Sequence, residues 1–243
     1  MSKFIRPGHE LATRPLYFYW IVDCSTSMKG EKIDTVNHAM MSVVPEMREE
    51  ARNTPNIRLL ISVLRFSSGA SWVTPSPVPI EDFLPDDLTA DGVTDMGKAF
   101  EMLAAQLTIP PMPERALPPV LVLLSDGQPT DNYRKSLNDL LSLPWGKKSI
   151  RIAVSIGPDA KDDVLEEFTG SRELVLQANN ASALGRMIKW TSSVASSVSS
   201  PRSNPKEQIK HAGSKISSIT NAPLMVPMNS IPKAVLSASE DDW

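Results

Sequence analysis

The sequence predicts a three-layer α/β domain in which a mostly parallel sheet is covered by helices on both faces. Three observations carry this expectation. Short continuous apolar runs recur along the chain, rich in β-branched residues, as strands buried on both faces are. Between them lie longer stretches whose apolar residues recur at helical spacing. The two alternate from about residue 14 to residue 198, the pattern of right-handed β–α crossovers in a parallel sheet.

The first run, Leu16 to Val22, is apolar, aromatic and β-branched and ends at Asp23. From Gly30 the period changes. Ile33, Val36, Met40, Val43, Val44 and Met47 mark one helical face, with Glu31, Asp34, Glu46, Glu49 and Glu50 on the other. Pro45 is expected to kink or interrupt this helix, and Asn53-Thr54-Pro55-Asn56 closes it. Ile57 to Phe66 reads as a second strand. Trp72-Val73 and Val78-Pro79-Ile80 read as a weak, proline-interrupted third one, which places it at an antiparallel edge. Thr94 to Leu107 has helical spacing through Met96, Phe100 and Leu103. Val120 to Leu124 is a further buried strand, followed by Ser125-Asp126-Gly127. A helix over Tyr133–Leu143, a strand over Ile150–Ile156, a helix over Asp162–Phe168, a strand over Glu173–Leu176 and a helix from Ser182 complete the alternation.

The organisation is thus an N-terminal extension (1–13), one α/β domain (14–198) and a Ser/Pro-rich tail (199–243), either flexible or docking through its small apolar clusters and its acidic end. With 25 basic against 28 acidic side chains the formal charge is −3, which argues against broad binding to nucleic acid or to an anionic membrane. The single cysteine, Cys24, excludes an internal disulfide framework and a Cys-rich zinc site, and is expected to face the core. No apolar stretch reaches the ~18–20 residues needed to cross a bilayer, and the N-terminus lacks the apolar stretch of a signal peptide. The expected location is cytoplasmic.

The chemistry gathers where an open α/β sheet places its ligands, beyond the carboxyl ends of the strands. Asp23-Cys24-Ser25-Thr26-Ser27 follows the first strand, Gly92-Val93-Thr94-Asp95-Met96-Gly97 opens a helix, and Ser125-Asp126-Gly127 follows the central strand. Two carboxylates and three hydroxyls, without imidazole or thiolate, suit a hard divalent cation such as Mg²⁺. Hydroxyl ligands are neutral, so such a cation keeps much of its charge and seeks an external anionic oxygen. Taken singly, Asp23 or Asp126 reads as a turn or cap residue; their coincidence with the three hydroxyls points to a site.

These residues resemble the von Willebrand factor A (vWA) family, over roughly residues 14–198. Asp23-x-Ser25-x-Ser27, Thr94 in a Gly-x-Thr-x-x-Gly context, and Asp126-Gly127 reproduce that family's metal-ion-dependent adhesion site (MIDAS) in order. The resemblance implies a Rossmann-like fold and a non-enzymatic protein-binding module. In it Ser25, Ser27 and Thr94 would ligate Mg²⁺ or Mn²⁺, Asp23 and Asp126 would act largely through bound water, and a partner's Glu or Asp would supply the last ligand. Thr26 and Val93 stand where many members have glycine, and neither position supplies a ligand. The segment from Tyr19 to Ile33, YWIVDCSTSMKGEKI, is more specifically similar to bacterial TerY-type proteins, intracellular members associated with tellurium-resistance gene clusters, a protein kinase and a PP2C-type phosphatase. That implies a role in stress response or defence.

Other motifs carry less. Gly92 to Ala99 approaches a phosphate-binding P-loop, but Ala99 replaces the Ser/Thr that would hold Mg²⁺ and no buried strand precedes it. His9, His38 and His211 are scattered without metal-ligand or triad spacing, and His38, on the first helix, reads as a solvated or satisfied residue and not a ligand. Met40, Met41 and Met47 read as core, and Asp162, Asp163, Glu166 and Glu167 as a solvated helix face. Two competing functions stay open at this level. One is a phosphohydrolase using Asp23 as nucleophile, although Ser25 stands where its general acid belongs; the other is a scaffold acting through the tail.

Overall fold

The computed structural model describes residues 13–178, and every statement below concerns these. Residues 1–12, the expected helix from Ser182 and the tail 199–243 lie outside them. In chain order the elements are β1 (Arg14–Asp23), α1 (Glu31–Asn53), β2 (Ile57–Ser67), β3 (Gly69–Trp72), β4 (Val78–Pro79), α2 (Met96–Gln106), β5 (Val120–Ser125), α3 (Tyr133–Ser142), α4 (Pro144–Lys148), β6 (Ile150–Ile156), α5 (Asp162–Thr169) and β7 (Val175–Ala178). The strands form one seven-stranded sheet in the order β3-β2-β1-β5-β6-β7, with β4 also on β2. β2, β1, β5, β6 and β7 run parallel, while β3 and β4 pair antiparallel to β2.

From Leu16 to Val22 β1 carries no charge because it packs against helices on both sides. Leu16, Phe18, Trp20 and Val22 point to the face covered by α1, with Ile33, Val36, Met40 and Met47. Tyr19 and Ile21 point to the opposite face, where α2, α3 and α5 contribute Phe100, Leu137 and Phe168. Phe100 and Phe168 stack at 5.5 Å between centroids, joining α2 to α5. Each large apolar side chain so buried contributes about 1.5–3 kcal/mol. β1 therefore lies mid-sheet with its end fixed, and its neighbours β2 and β5 leave it in opposite directions. That makes the β1/β5 edge the switch point at which such sheets bind ligands.

Several expectations need correcting. Of the kink or interruption expected at Pro45, the interruption does not occur: α1 continues through it. Pro45 lies on the exposed side of the helix, where water can take up the freed carbonyl, while Val43, Val44 and Met47 hold the other side in the core. Met41 is 54% exposed and is not core. The single weak edge strand is two: β3 forms a hairpin with β2, and β4 pairs further along at Leu60 and Ile61. Between them the Val63 N–H donates to the Thr74 hydroxyl at 2.9 Å. Glu173 and Leu174 belong to a short 3-10 turn, so β7 starts only at Val175. The acidic face of α5 is partly engaged: Asp162 accepts from Ser155 at 2.7 Å, and Glu167 accepts from Tyr133 and Arg134. None of the described helices is long and apolar enough to cross a membrane.

Candidate metal centre

The site starts from β1. Its last residue, Asp23, is fully buried; its Oδ1 accepts the Ser25 N–H at 2.9 Å and its Oδ2 accepts the Ser125 hydroxyl at 2.6 Å. The first bond bends the chain sharply out of the strand, and the second ties that bend to the end of β5. Burial pushes the Asp23 carboxyl above its ordinary range against the bonds from Ser125 and Ser25, and the charge of Asp126 adds to the push. The bend sets the Ser25 and Ser27 hydroxyl oxygens 3.0 Å apart, Ser25 buried and Ser27 facing solvent.

The loop before α2 is stitched to this bend by main chain. The Asp91 N–H donates to the Cys24 carbonyl at 2.7 Å, and the Thr26 N–H to the Gly92 carbonyl at 3.0 Å. Thr94 is buried, and its backbone is held on both sides by Thr130: Thr94 N–H to the Thr130 hydroxyl at 3.0 Å, Thr130 N–H to the Thr94 carbonyl at 2.9 Å. Asp131 continues that loop and caps α2 from outside its own sequence, accepting the Gly97 and Lys98 N–H groups at 3.0 and 3.2 Å. A carboxylate at a helix N-terminus both satisfies free N–H groups and meets the positive end of the dipole. Asp131→Ala is therefore expected to lower stability by about 1 kcal/mol, read from the urea midpoint. An unchanged midpoint would remove this cap from the account. The same arrangement leaves no phosphate cradle before α2, since residues 81–91 hold no strand and Asp131 takes the anion's place.

Asp126 completes the group. It is fully buried, and its carbonyl accepts the Lys161 N–H at 2.7 Å. Oδ2 accepts from the Lys32 ammonium at 3.1 Å, while Oδ1 has no hydrogen-bond partner. Only three buried side-chain polar atoms among the described residues lack one, and the other two are the indole N–H groups of Trp20 and Trp145. A carboxylate oxygen is by far the costlier of these to leave bare. Burial draws the Lys32 ammonium down, but its bonds to Asp159 and Asp126 outweigh this and hold it above its ordinary value.

Asp23, Ser25 and Ser27 are thus joined directly, and Asp126 reaches them through Ser125 and its charge. Thr94 reaches them through the backbone of residues 91 and 92. Lys32, Thr130, Asp131 and Asp159 escaped the sequence reading. Lys32 lies two residues past Gly30 in a polar helix start, and Asp159 is 127 residues from its partner, so no local pattern marks either. Cys24 is buried in the core as expected, and burial, with Asp23 beside it, pushes its thiol up to about 12.

A family model described as the von Willebrand factor type A domain matches residues 19–190. The chain belongs to that family. No curated protein sequence matches it. Solved vWA-fold structures do, at low identity. A von Willebrand factor type A protein from Catenulispora acidiphila is 15% identical at a TM-score of 0.57, over 75% of this chain and 43% of that one. The ArnB paralog VWA2 from Sulfolobus acidocaldarius is 20% identical at 0.55, over 74% and 45%. Proximal thread matrix protein 1 from the mussel byssus, with a zinc-occupied MIDAS motif, is 16% identical at 0.53, over 76% and 46%. The chain spans less than half the length of each of these three.

The donor set of this vWA domain fits a divalent cation. Among the described residues no three His, Cys, Asp or Glu side chains gather to hold a metal. A site here has to rest on two carboxylates and neutral hydroxyls, which suits a hard, oxygen-seeking ion. The bare Asp126 Oδ1 beside this set is the acceptor that such an ion, or water held by it, would satisfy.

Proposed function

We propose that this vWA domain is a non-enzymatic protein-binding module whose Asp23, Ser25, Ser27, Thr94 and Asp126 hold Mg²⁺ or Mn²⁺. A bound cation would supply an electrophilic position for a carboxylate from a partner's Glu or Asp. The observation that carries the reading is the fully buried, unpartnered Oδ1 of Asp126. The adjacent Ser25 and Ser27 hydroxyls support it, as does the zinc-occupied MIDAS reported for the mussel byssus protein. Both oxygens of Asp23 already accept hydrogen bonds, which favours a positioning role over that of a nucleophile.

The segment Tyr19–Ile33 supports a finer reading. The partner is a protein kinase or a PP2C-type phosphatase of a bacterial tellurium-resistance or other stress-response system, in the cytoplasm. A nucleic-acid or membrane partner is not part of this reading, in keeping with the formal charge of −3. Genes for such a kinase–phosphatase pair beside this one would support the finer step.

The test of the main reading is calorimetric. Mg²⁺ titrated into the EDTA-stripped chain is expected to bind at one site, and capture of the kinase or phosphatase in Mg²⁺ is expected to be lost in EDTA. Capture that persists in EDTA and in Asp23→Ala would overturn the metal-dependent reading.

A further inference from the structure

Lys32 stands out because it sits at the centre without belonging to the donor set. Its ammonium lies 3.1 Å from Asp126 Oδ2 and 2.9 Å from Asp159 Oδ1. The three side chains form a graded series: Asp126 is fully buried, Lys32 is 19% exposed and Asp159 is 57% exposed. A buried carboxylate is costly without a countercharge, and Lys32 is the ion-pair partner of Asp126 among the described residues. Asp159 is open to water and is paired with the same ammonium.

The loop after β6 passes close to this side chain at Gly157. Gly157 has φ +89°, and a Cβ there would lie 2.6 Å from Lys32 Cε and 2.9 Å from Asp159 Oδ1. A side chain there would crowd the ends of both Lys32 and Asp159. The ammonium is therefore held between a buried anion at the candidate centre and an exposed one beside it.

We propose that Lys32 is the resident cation of the metal-free site, and that Asp159 takes it over when a divalent cation reaches Asp126. This rests on the metal-binding reading above and adds to it the groups that set its affinity. Lys32 opposes the incoming ion through like-charge repulsion. Asp159 lowers that barrier by keeping the ammonium paired once it has let go of Asp126, so the release leaves no unpaired charge. Neither residue touches the metal; both act on affinity through Asp126.

Opposite effects of two neighbouring substitutions test it. The full chain, stripped with EDTA, is titrated with Mg²⁺ and separately with Mn²⁺ by calorimetry. Lys32→Met is expected to bind the ion on the order of tenfold more tightly, and Asp159→Asn about threefold more weakly. In the Lys32→Met background, Asp159→Asn is expected to lose most of its effect, because the ammonium it would have received is gone. The metal-free thermal midpoint of Lys32→Met is expected to fall and to recover in Mg²⁺. Lys32→Gln repeats the measurement should the methionine variant fail to fold. Weaker or equal binding in folded Lys32 variants, with the wild type binding normally, overturns this inference and leaves the metal site standing. No binding by the wild type or any variant removes the metal site itself, and this inference with it.

Discussion

Asp126→Asn is expected to abolish divalent-cation binding while leaving the fold intact. The amide keeps the volume of the fully buried side chain and an oxygen to accept from Lys32. Lys32 also keeps its ion pair with Asp159. What disappears is one unit of negative charge beside the ion, which at protein-like dielectric amounts to several kcal/mol, hence a loss of at least ~100-fold in affinity. Without metal the neutral amide is cheaper to bury than an unpartnered carboxylate oxygen. The variant is therefore expected to be at least as stable as the metal-free wild type. Calorimetric titration with Mg²⁺ and thermal melts in EDTA measure the two halves. Affinity within threefold of wild type would show that Asp126 does not hold the ion.

Gly127→Ala is expected to do the reverse, damaging the fold first and the site through it. Gly127 has φ +70°, a conformation that costs a side-chain-bearing residue about 1–2 kcal/mol. A Cβ there would also lie 2.5 Å from the Lys161 carbonyl oxygen. That oxygen is main chain and has little room to retreat, because the Lys161 N–H is bonded to the Asp126 carbonyl at 2.7 Å. Forcing the two segments apart adds a cost of the overpacking kind, giving about 2–4 kcal/mol in all. The urea midpoint is expected to fall accordingly. Cation affinity is expected to weaken in parallel, since Asp126 moves with the loop. A midpoint unchanged within error would mean that the loop after β5 is soft, and the account of how Asp126 is held would fail.

The two variants separate charge from geometry. Asp126→Asn removes a charge at constant shape; Gly127→Ala changes shape at constant charge. They share the loop that joins β5 to the segment before α5, where Lys161 is bonded.

Much of this was legible in the amino-acid order because the relevant signals are local. The run from Leu16 to Val22 has no polar residue, so it had to be buried on both faces, and β1 is so buried between α1 on one side and α2, α3 and α5 on the other. The helical face of Ile33, Val36, Met40 and Met47 was readable from spacing alone. Edge pairing was less so. Three prolines and short apolar pairs marked the edge, but the choice between one strand and two depended on which stretch of β2 stood opposite. Pro45 is a related case: the hydrogen bond it removes falls on an exposed face, where water can replace it, and α1 continues.

The sequence by itself determined the kind of donors, two carboxylates and three hydroxyls at strand ends and a helix start, since residue type fixes which ions a group can accept. It also determined that these loops share one edge of the sheet, because parallel strands put their carboxyl ends together. Only the tertiary structure decided the electrostatic state of that group. Lys32 and Asp159 meet across 127 residues, and Asp131 reaches α2 from 34 away. Such pairings leave no periodic trace in the chain, because charge acts through space and its strength is set by burial, which exists only once the sheet and its helices have closed around Asp126.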